Sequence, residues 1–274
     1  MPTTDVEGVQ LFYTDSGEQA GHTGPPLVLL HGWTCDSHDW VFQFEAFEAR
    51  HRVIALDLRG HGRSAVPESP DWSALRHAAD VAAVLRRLGV ERVVAVGHSL
   101  GGVVAAALAV EHADLVVATV GVEPAYGQDE ATAAYLRDVT AEFGTYEGNA
   151  LAARLQEATE PSTPAWLRAW HRRRTLGAPP AVLKEAFAGM YCAADQFCGQ
   201  PHTDRYLARR ASPALTFHRL PAMAAWEQQA MRHPYSRVVS WEGAGHWLHQ
   251  ERPAEFNDLA LGWLASLPDA GTRT

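Results

Sequence analysis

The chain has 274 residues, and its 23 lysine and arginine residues against 32 aspartate and glutamate residues give a formal net charge of −9 at pH 7. This length fits one α/β domain with an insertion, and the negative charge disfavours nucleic acid and anionic membranes as partners. No apolar run approaches the ~20 residues of a membrane span, and the start Met1–Glu7 is too polar for a signal peptide, so a cytoplasmic protein is expected.

Short apolar runs alternate with amphipathic stretches in the first half of the chain, which is typical of a mainly parallel sheet covered by helices. The predicted strands are Val9–Tyr13, Leu27–Leu30, Val53–Leu56, Val93–Val96 and Leu115–Val120. The predicted crossover helices are Trp72–Leu88 and Leu100–Val110. Because the last three strands are almost wholly apolar, they are expected at the centre of the sheet.

Residues 124–212 break this alternation, because they are helical and polar. The predicted helices are Gln128–Phe143, Asn149–Ala158, Ala165–Thr175 and Ala181–Met190. The basic run Arg172–Arg174 within them is interpreted as a solvated helix face. Residues 1–123 and 213–274 are predicted to form the α/β core. The inserted helices are predicted to form a cap over the carboxyl ends of the strands, where ligands of open α/β sheets bind.

The end of the chain resumes the α/β pattern. Two strands, Ala214–His218 and Arg237–Trp241, are predicted, followed by a closing helix, Ala254–Leu267. The turn-rich segments Asp15–Pro26 and Ala270–Thr274 are expected to be mobile.

The three cysteines predict no disulfide framework. Cys35, Cys192 and Cys198 are odd in number and form no Cys-x-x-Cys pair, so reduced thiols are expected. The histidines follow no usual zinc spacing either. The sequence therefore predicts no metal, no other cofactor and a small molecule as the only partner, and it leaves the oligomeric state open.

The strongest chemical signal is Gly97-His98-Ser99-Leu100-Gly101, which follows a predicted strand and opens a predicted helix. In a G-x-S-x-G turn, called a nucleophile elbow, glycines flank the serine because the turn is too tight for side chains. Such a turn exposes the serine hydroxyl beside the helix N-terminus and its unpaired N–H groups. Ser99 is therefore the predicted nucleophile.

A serine nucleophile needs a base within hydrogen-bonding reach, and the base needs a carboxylate to orient it. His246 is the predicted base, because it lies on a glycine-flanked loop after the last predicted strand. This position in the chain returns a histidine to a nucleophile at the strand ends.

These motifs resemble those of the α/β-hydrolase superfamily, in the same order along the chain. His31-Gly32-Trp33 resembles its oxyanion-hole loop, Asp57–Ser64 its turn after the next strand, and Gly243–His246 its catalytic-histidine loop. The resemblance implies an α/β-hydrolase fold, with a mostly parallel sheet flanked by helices and an inserted helical cap. It also implies an oxyanion hole formed by the backbone N–H groups of Trp33 and Leu100.

The orienting carboxylate departs from the common pattern of the superfamily, which places an aspartate after the strand before the histidine loop. Here the first carboxylate after Ala214–His218 is Glu227, which is predicted to lie within a helix. Glu123 is the predicted acid instead, because it ends the strand next to the elbow and some subfamilies place their acid there. Its alternative role is an N-cap of the first inserted helix. Asp57 also ends a strand, but it is expected to hold its own loop by hydrogen bonds.

Four side chains near these motifs are candidates for substrate contact. Trp33 is expected to wall the pocket, and His98 to shape the elbow or line the pocket. Trp166 and Trp170 lie four residues apart and share one face of a predicted helix, where they either pack against the core or contact substrate.

The first functional hypothesis is hydrolysis. The glutamate at position 123, followed by Pro124, resembles the arrangement in zearalenone-type lactonases, which also carry a cap tryptophan. That resemblance implies cleavage of a bulky aromatic ester or lactone through an acyl-enzyme on Ser99. The dehalogenases and epoxide hydrolases of the superfamily need an aspartate nucleophile, so Ser99 argues against both. Haloperoxidase-like activity stays open.

The second hypothesis is cofactor-independent dioxygenation. The loop Gly32–His38 resembles that of ring-cleaving quinolone dioxygenases, which also place their acid at this strand end. His246 and Glu123 would then act as a base dyad on a 3-hydroxy-4-quinolone-type heterocycle, whose anion reacts with oxygen. Against this, the chain has Leu100 where those enzymes have histidine and His31 where they tend to have proline. A non-catalytic receptor for small ligands is the third alternative.

Overall fold

The computed structural model describes residues 2–68 and 71–268. Within these ranges the strands are β1 (Thr3–Val6), β2 (Val9–Asp15), β3 (Leu27–Leu30), β4 (Val53–Leu56), β5 (Val93–His98), β6 (Val116–Val122), β7 (Ala214–His218) and β8 (Arg237–Ser240). They form one sheet in the order β1-β2-β4-β3-β5-β6-β7-β8. β2 pairs antiparallel with β1 and β4, and all other neighbours are parallel. The predicted mobile segment 270–274 lies outside the described residues.

Eleven α-helices connect and cover these strands in the same described ranges. They are α1 (Phe44–Glu48), α2 (Ala74–Arg87), α3 (Leu100–Glu111), α4 (Glu130–Val139), α5 (Tyr146–Glu157), α6 (Ala165–Gly177), α7 (Pro180–Tyr191), α8 (His202–Leu207), α9 (Pro221–Ala230), α10 (Leu248–Glu251) and α11 (Pro253–Ser266). In the part of the chain described, no helix has both the length and the apolar character that a membrane crossing requires.

Buried apolar side chains pack on both faces of the sheet. Successive side chains of a strand point to opposite faces. In β3, Val28 and Leu30 therefore join a cluster with α2 and α3, whereas Leu27 and Leu29 join another with α1 and α11. A sheet buried on both faces by helices is the predicted α/β-hydrolase architecture, and this prediction is confirmed.

The sheet differs from the prediction at its centre and at one edge. β3 lies between β4 and β5, so Leu27–Leu30 belongs to the centre as well. β1 was not predicted, because three of its four residues, Thr3, Thr4 and Asp5, are polar. It forms the edge of the sheet, in a hairpin whose turn residues Glu7 and Gly8 both have positive φ.

The ends of β5 and β6 determine where the site lies. Both strands run two residues further than predicted, and His98 pairs with Val122 in parallel register. Ser99 and Glu123 are therefore the first residues after two neighbouring strands. The Ser99 N–H donates to the Val122 carbonyl at 2.9 Å, which fixes the two strand ends together.

Residues 124–212 lie between β6 and β7 and carry α4 to α8. The first predicted helix of this inserted segment ends early, at Val139, and a 3-10 turn, Thr140–Glu142, follows it. The six-residue α8 was not predicted. The helical character of the segment is as predicted, and the division of the chain into a core and a cap stays a prediction.

Candidate active site

Ser99 lies in a tight turn between β5 and α3. Its φ of 52° and ψ of −112° are rare for a residue with a side chain and indicate local backbone strain. The turn depends on its glycines, because an added Cβ at Gly97 would overlap the Gly101 carbonyl and one at Gly101 would overlap the Leu30 carbonyl. The structure thus has the strand-to-helix turn that the sequence predicts.

His246 lies on the loop after β8 and faces the same cavity as Ser99. Its Nδ1 is 3.3 Å from Oε2 of Glu123. With the hydrogen on Nδ1, Nε2 has a free lone pair and can accept a proton. No hydrogen bond joins Ser99 to His246 in residues 2–68 and 71–268. Such contacts are often long in unliganded proteins and tighten with substrate.

The loop of His246 is anchored on the inserted segment. The His246 N–H donates to the Thr159 carbonyl at 3.0 Å. The carboxylate of Glu251 accepts the Gly245 N–H at 3.0 Å and a hydrogen bond from the Thr163 hydroxyl. The backbone around the predicted base is therefore held by residues that belong to two different parts of the chain.

Glu123 is almost completely buried, and its φ is 44°. Its Oε1 accepts the Arg219 backbone N–H at 2.6 Å, and its Oε2 accepts Arg219 Nε at 3.0 Å. Burial alone would raise the pKa of Glu123, but its interactions with His218 and His246 outweigh the effect of burial and hold the pKa below its ordinary value. The carboxylate is thus ionised and in contact with His246. The alternative role of Glu123, an N-cap of the first inserted helix, is wrong, because Asp129 caps that helix, α4.

Sequence reasoning missed His218, Arg219 and Glu227 as parts of this site. His218 lies between Glu123, at 3.7 Å, and Glu227 of α9, at 2.7 Å. Burial alone would lower the pKa of His218, but the neighbouring carboxylates of Glu123 and Glu227 raise it to about 9. The available signal was the pair His218-Arg219 directly after an apolar strand, at the same sheet edge as Ser99.

The predicted oxyanion-hole amides flank the elbow. Leu100 is the first residue of α3, so its N–H has no acceptor within the helix. The loop of Trp33 lies against the elbow, because an added Cβ at Gly32 would be 3.4 Å from Ser99 Cβ. The Trp33 N–H donates no backbone hydrogen bond within the described ranges. Its indole Nε1–H donates to the Leu183 carbonyl at 2.8 Å, which fixes the loop.

One cavity of about 690 Å³ joins these groups. This volume is within the range of about 300–1,000 Å³ that is usual for small-molecule sites. Its wall includes the predicted residues Trp33, His98, Ser99, Glu123 and His246. The inserted segment supplies an apolar wall formed by Leu136, Leu155, Phe187, Met190 and Tyr191. The cavity is therefore large and mostly apolar, with the polar groups concentrated at the strand ends.

The structure places neither Trp166 nor Trp170 at this cavity. The buried face of α6 carries Leu167, His171 and Thr175, and the two tryptophans precede Leu167 and His171 by one residue each, so they point to an adjacent face. Trp166 is 60% exposed, and Trp170 stacks on His171. The predicted shared helix face is correct, but that face does not line the described cavity.

His98, the residue before Ser99, connects the elbow to the loop of His246. It is completely buried, and its Nε2–H donates to the His246 carbonyl at 3.1 Å. Burial lowers the pKa of His98 to about 4, so its ring is neutral at physiological pH. His98 thus ties the serine turn to the histidine loop, and it lies in the wall of the cavity.

The buried Asp39, His98 and His249 are the described residues whose atoms lie close enough together to hold a metal ion, within 4.8 Å of one another. Oδ1 of Asp39 accepts Arg174 Nη1 at 2.6 Å and Gln250 Nε2 at 2.8 Å. Because Arg174 already neutralises the carboxylate and would repel a cation, we interpret the group as a buried ion pair. The prediction of a solvated face for Arg172–Arg174 is wrong for Arg174, which points inward.

Asp57 holds the loop that follows β4, as expected. It accepts the Ser37 N–H at 2.7 Å and the Arg63 N–H and Nε–H at 2.8 Å each. Burial alone would raise the pKa of Asp57, but hydrogen bonds from Arg63 lower it to about 2. Asp57 therefore has a structural role in its own loop, and it does not line the cavity that contains Ser99.

Comparisons with known proteins identify the family of the chain. A model described as the alpha/beta hydrolase family matches residues 27–259. The chain is 27% identical to epoxide hydrolase A of Mycobacterium tuberculosis over 96% of both proteins. It is 46% identical to a non-heme haloperoxidase of Rhodococcus erythropolis over 105 residues, which span 37% of this chain and 36% of that relative.

A solved structure described as an N-acyl homoserine lactone degrading enzyme is also similar. Its TM-score is 0.75 at 27% sequence identity, over 95% of this chain and 99% of that one. The sheet order, the tight turn at Ser99 and a family match over most of the chain agree. The protein belongs to the α/β-hydrolase family.

Proposed function

We propose that the protein hydrolyses a carboxylic ester or lactone through an acyl-enzyme formed on Ser99. The observation that carries the proposal is the convergence of Ser99, His246 and Glu123 on one cavity, with His246 Nδ1 3.3 Å from the Glu123 carboxylate. A strained serine turn, a histidine and a buried carboxylate are the groups that activated serine nucleophiles require.

In this mechanism, Ser99 Oγ attacks the substrate carbonyl carbon while Nε2 of His246 takes the hydroxyl proton. The imidazolium that forms is stabilised by Glu123, which also keeps the ring oriented. The N–H groups of Trp33 and Leu100 stabilise the negative oxygen of the tetrahedral intermediate. His246 then protonates the leaving alkoxide, and water repeats the sequence to release the acid.

The substrate class follows from the cavity wall. The apolar side chains of Phe187, Met190 and Tyr191, together with Trp33, favour a bulky apolar or aromatic acyl or alcohol group. The tryptophan that contacts substrate in this proposal is Trp33, not a tryptophan of α6. The likeness to a lactone-degrading enzyme supports lactones as the first substrates to test.

The full-length likeness to an epoxide hydrolase does not change this choice. The epoxide hydrolases of the superfamily that the motifs resemble need an aspartate at the elbow. This chain has Ser99 at that position. A serine ester intermediate fits carbonyl substrates, because acyl transfer proceeds through the oxyanion that the two amides face.

The experiment is the intact mass of the protein after exposure to an aryl fluorophosphonate. We expect one adduct per chain in the wild type and in Ser240→Ala, a control at an exposed serine of β8, and none in Ser99→Ala. Hydrolysis of para-nitrophenyl butyrate should fall by at least about a thousandfold in Ser99→Ala. Full turnover of the ester in Ser99→Ala would refute the proposal.

A second candidate function is cofactor-independent dioxygenation. It is favoured by the observation that His246 contacts Glu123 while Ser99 makes no hydrogen bond to His246 in the described residues. In that case His246 removes the hydroxyl proton of a 3-hydroxy-4-quinolone, and the anion reacts with oxygen. Oxygen uptake that persists in Ser99→Ala and disappears in His246→Ala would establish this function. Absence of uptake in the wild type with such substrates would eliminate it.

A further inference from the structure

A line of buried polar groups continues behind His246. His218, at the end of β7, places Nδ1 3.7 Å from Oε1 of Glu123 and Nε2 2.7 Å from Oε2 of Glu227. His218 is 2% exposed and Glu227 is 0% exposed, so bulk water does not screen these pairs. The candidate base His246 is therefore followed, in order, by a carboxylate, an imidazole and a second carboxylate.

The two carboxylates determine the protonation of His218. A neutral imidazole has a hydrogen on one nitrogen, and its other nitrogen presents a lone pair. Here each ring nitrogen faces a carboxylate oxygen, so a neutral ring would direct that lone pair at a negative charge. Two N–H groups remove this repulsion, which is large in a buried site. The geometry thus favours an imidazolium, in agreement with the raised pKa of His218.

Glu227 is held in place for this role. Its Oε1 accepts the Tyr126 hydroxyl at 2.7 Å and the Thr216 hydroxyl at 3.1 Å. Arg210 Nη2 lies 3.9 Å from the same oxygen. Oε2 therefore remains for His218, and Glu227 cannot rotate without losing three other contacts.

The charges around Glu123 complete the arrangement. Glu123 is in contact with the cation Arg219 at 3.0 Å and with His218 and His246. Together the two carboxylates, Glu123 and Glu227, face the cations His218 and Arg219, with Arg210 nearby. His218 is therefore the one group of the cluster that lies between the two carboxylates and faces both of them.

We propose that His218 is a positioning residue that, as an imidazolium held by Glu227, fixes the Glu123 carboxylate in the orientation that serves His246. The inference rests on the proposed role of Glu123 as the acid. It also accounts for the departure from the superfamily pattern noted in the sequence. Where that pattern has an aspartate after this strand, this chain has His218-Arg219, so β7 supplies counterions to an acid that lies at the end of β6.

The positive charge of His218 has a consequence for the base. It lies behind Glu123 and opposes protonation of His246, which keeps His246 available to accept a proton. Removing the charge of His218 removes this opposition. The acid limb of the kcat/KM profile should then move to higher pH, by on the order of one pH unit for a charge a few ångströms away.

The direct test is nitrogen-15 NMR of the histidine-labelled protein, with the His218 signals identified as those absent in His218→Gln. If that variant does not fold, the signals are identified as those that change most in Glu227→Gln. We expect both nitrogens of His218 to carry hydrogen at pH 7 and to lose a proton only as the pH rises toward about 9. A neutral His218 ring at pH 7 would overturn the proposal.

The functional test compares kcat/KM against pH for the wild type, His218→Gln, Glu227→Gln and the double variant, with para-nitrophenyl butyrate. We expect kcat to fall between about tenfold and a hundredfold, because Glu123 loses its fixed position. The acid limb should move to higher pH in both single variants. The kcat of the double variant should be no lower than that of either single variant. Thr119→Val is the control, since the buried Thr119 hydroxyl of β6 makes no hydrogen bond within the described residues, and the variant should leave the limb where it is.

An unmoved acid limb in both single variants would contradict the proposal, as would fully additive losses in the double variant. The two tests also separate this inference from the proposed function. The NMR measurement requires no turnover, so a protein that hydrolyses no ester would refute the proposed function while the state of His218 is still decided.

Discussion

Gly101, the second residue of α3, is a position in the serine turn where a side chain should be poorly tolerated. A Cβ added there would lie under 3.0 Å from the backbone carbonyl oxygens of Leu30 and His31. Both oxygens belong to the main chain of β3 and its following loop, so neither can rotate away. In Gly101→Ala, α3 must therefore move away from β3, and the turn that presents Ser99 must move with it.

The expected loss of stability in Gly101→Ala follows from the kind of contact that the new Cβ makes. Overpacking that only the backbone can relieve should cost about 3 kcal/mol, at the upper end of the usual range. For a chain of this size, 1 kcal/mol lowers Tm by about 2–4 °C, so Tm should fall by roughly 6–12 °C. The rate of fluorophosphonate labelling should fall at least about tenfold, because Ser99 and the Leu100 amide are displaced together.

The control is Gly262→Ala, at an exposed glycine of α11 where an added Cβ has nothing within 4 Å. It should stabilise the protein by about 1 kcal/mol, because alanine is the better helix former. Thermal denaturation followed by circular dichroism, and the labelling rate, measure both variants. Wild-type values for Gly101→Ala would refute the close-packing argument for the turn.

Two further predictions concern a loop carboxylate and the cavity wall. The folded-state pKa of Asp57, about 2, lies below the ordinary value of an aspartate, so its stabilising contribution is complete above about pH 4 and is lost as the pH falls toward 2. The free energy of unfolding should therefore drop by about 2 kcal/mol over that window, and Asp57→Asn should flatten this part of a urea-unfolding profile against pH. An equal slope in the variant would contradict the assignment. Phe187→Ala should raise KM for a bulky aryl ester about tenfold, because it removes an apolar contact worth over 1 kcal/mol, whereas Trp166→Ala should leave KM unchanged. Equal effects of the two variants would contradict the assigned cavity wall.

The sequence predicts the fold and the order of the site residues well, because both depend on local patterns. An apolar run such as Val93–Val96 can be buried on both faces only in a covered sheet. A serine between glycines after such a run predicts the turn at Ser99 without knowledge of any distant contact. The polar strand Thr3–Val6 carried no such pattern, and it forms because the hairpin pairs it with β2.

The side chains that surround the site were harder to predict, since tertiary packing decides them. The spacing of Trp166 and Trp170 predicts a shared helix face, but it cannot predict which neighbour that face meets. His218 and Glu227 lie nine residues apart on a strand and a helix, and they come together only because α9 packs back on β7. Arg174 reads as a surface residue in sequence, yet the buried Asp39 draws it inward.

The hydrogen bond from the His246 N–H to the Thr159 carbonyl limits which segments of this protein can be replaced by those of a relative. Residues 124–212 supply the apolar wall, which makes them the natural module to exchange for a new substrate range. A chimera with a foreign segment would also lose the carbonyl on which the histidine loop rests, together with Thr163, which contacts Glu251. Single substitutions at Phe187 or Met190 leave that support in place. Substrate range in this protein is therefore easier to alter one wall residue at a time, and any transplanted segment should keep residues 159–163.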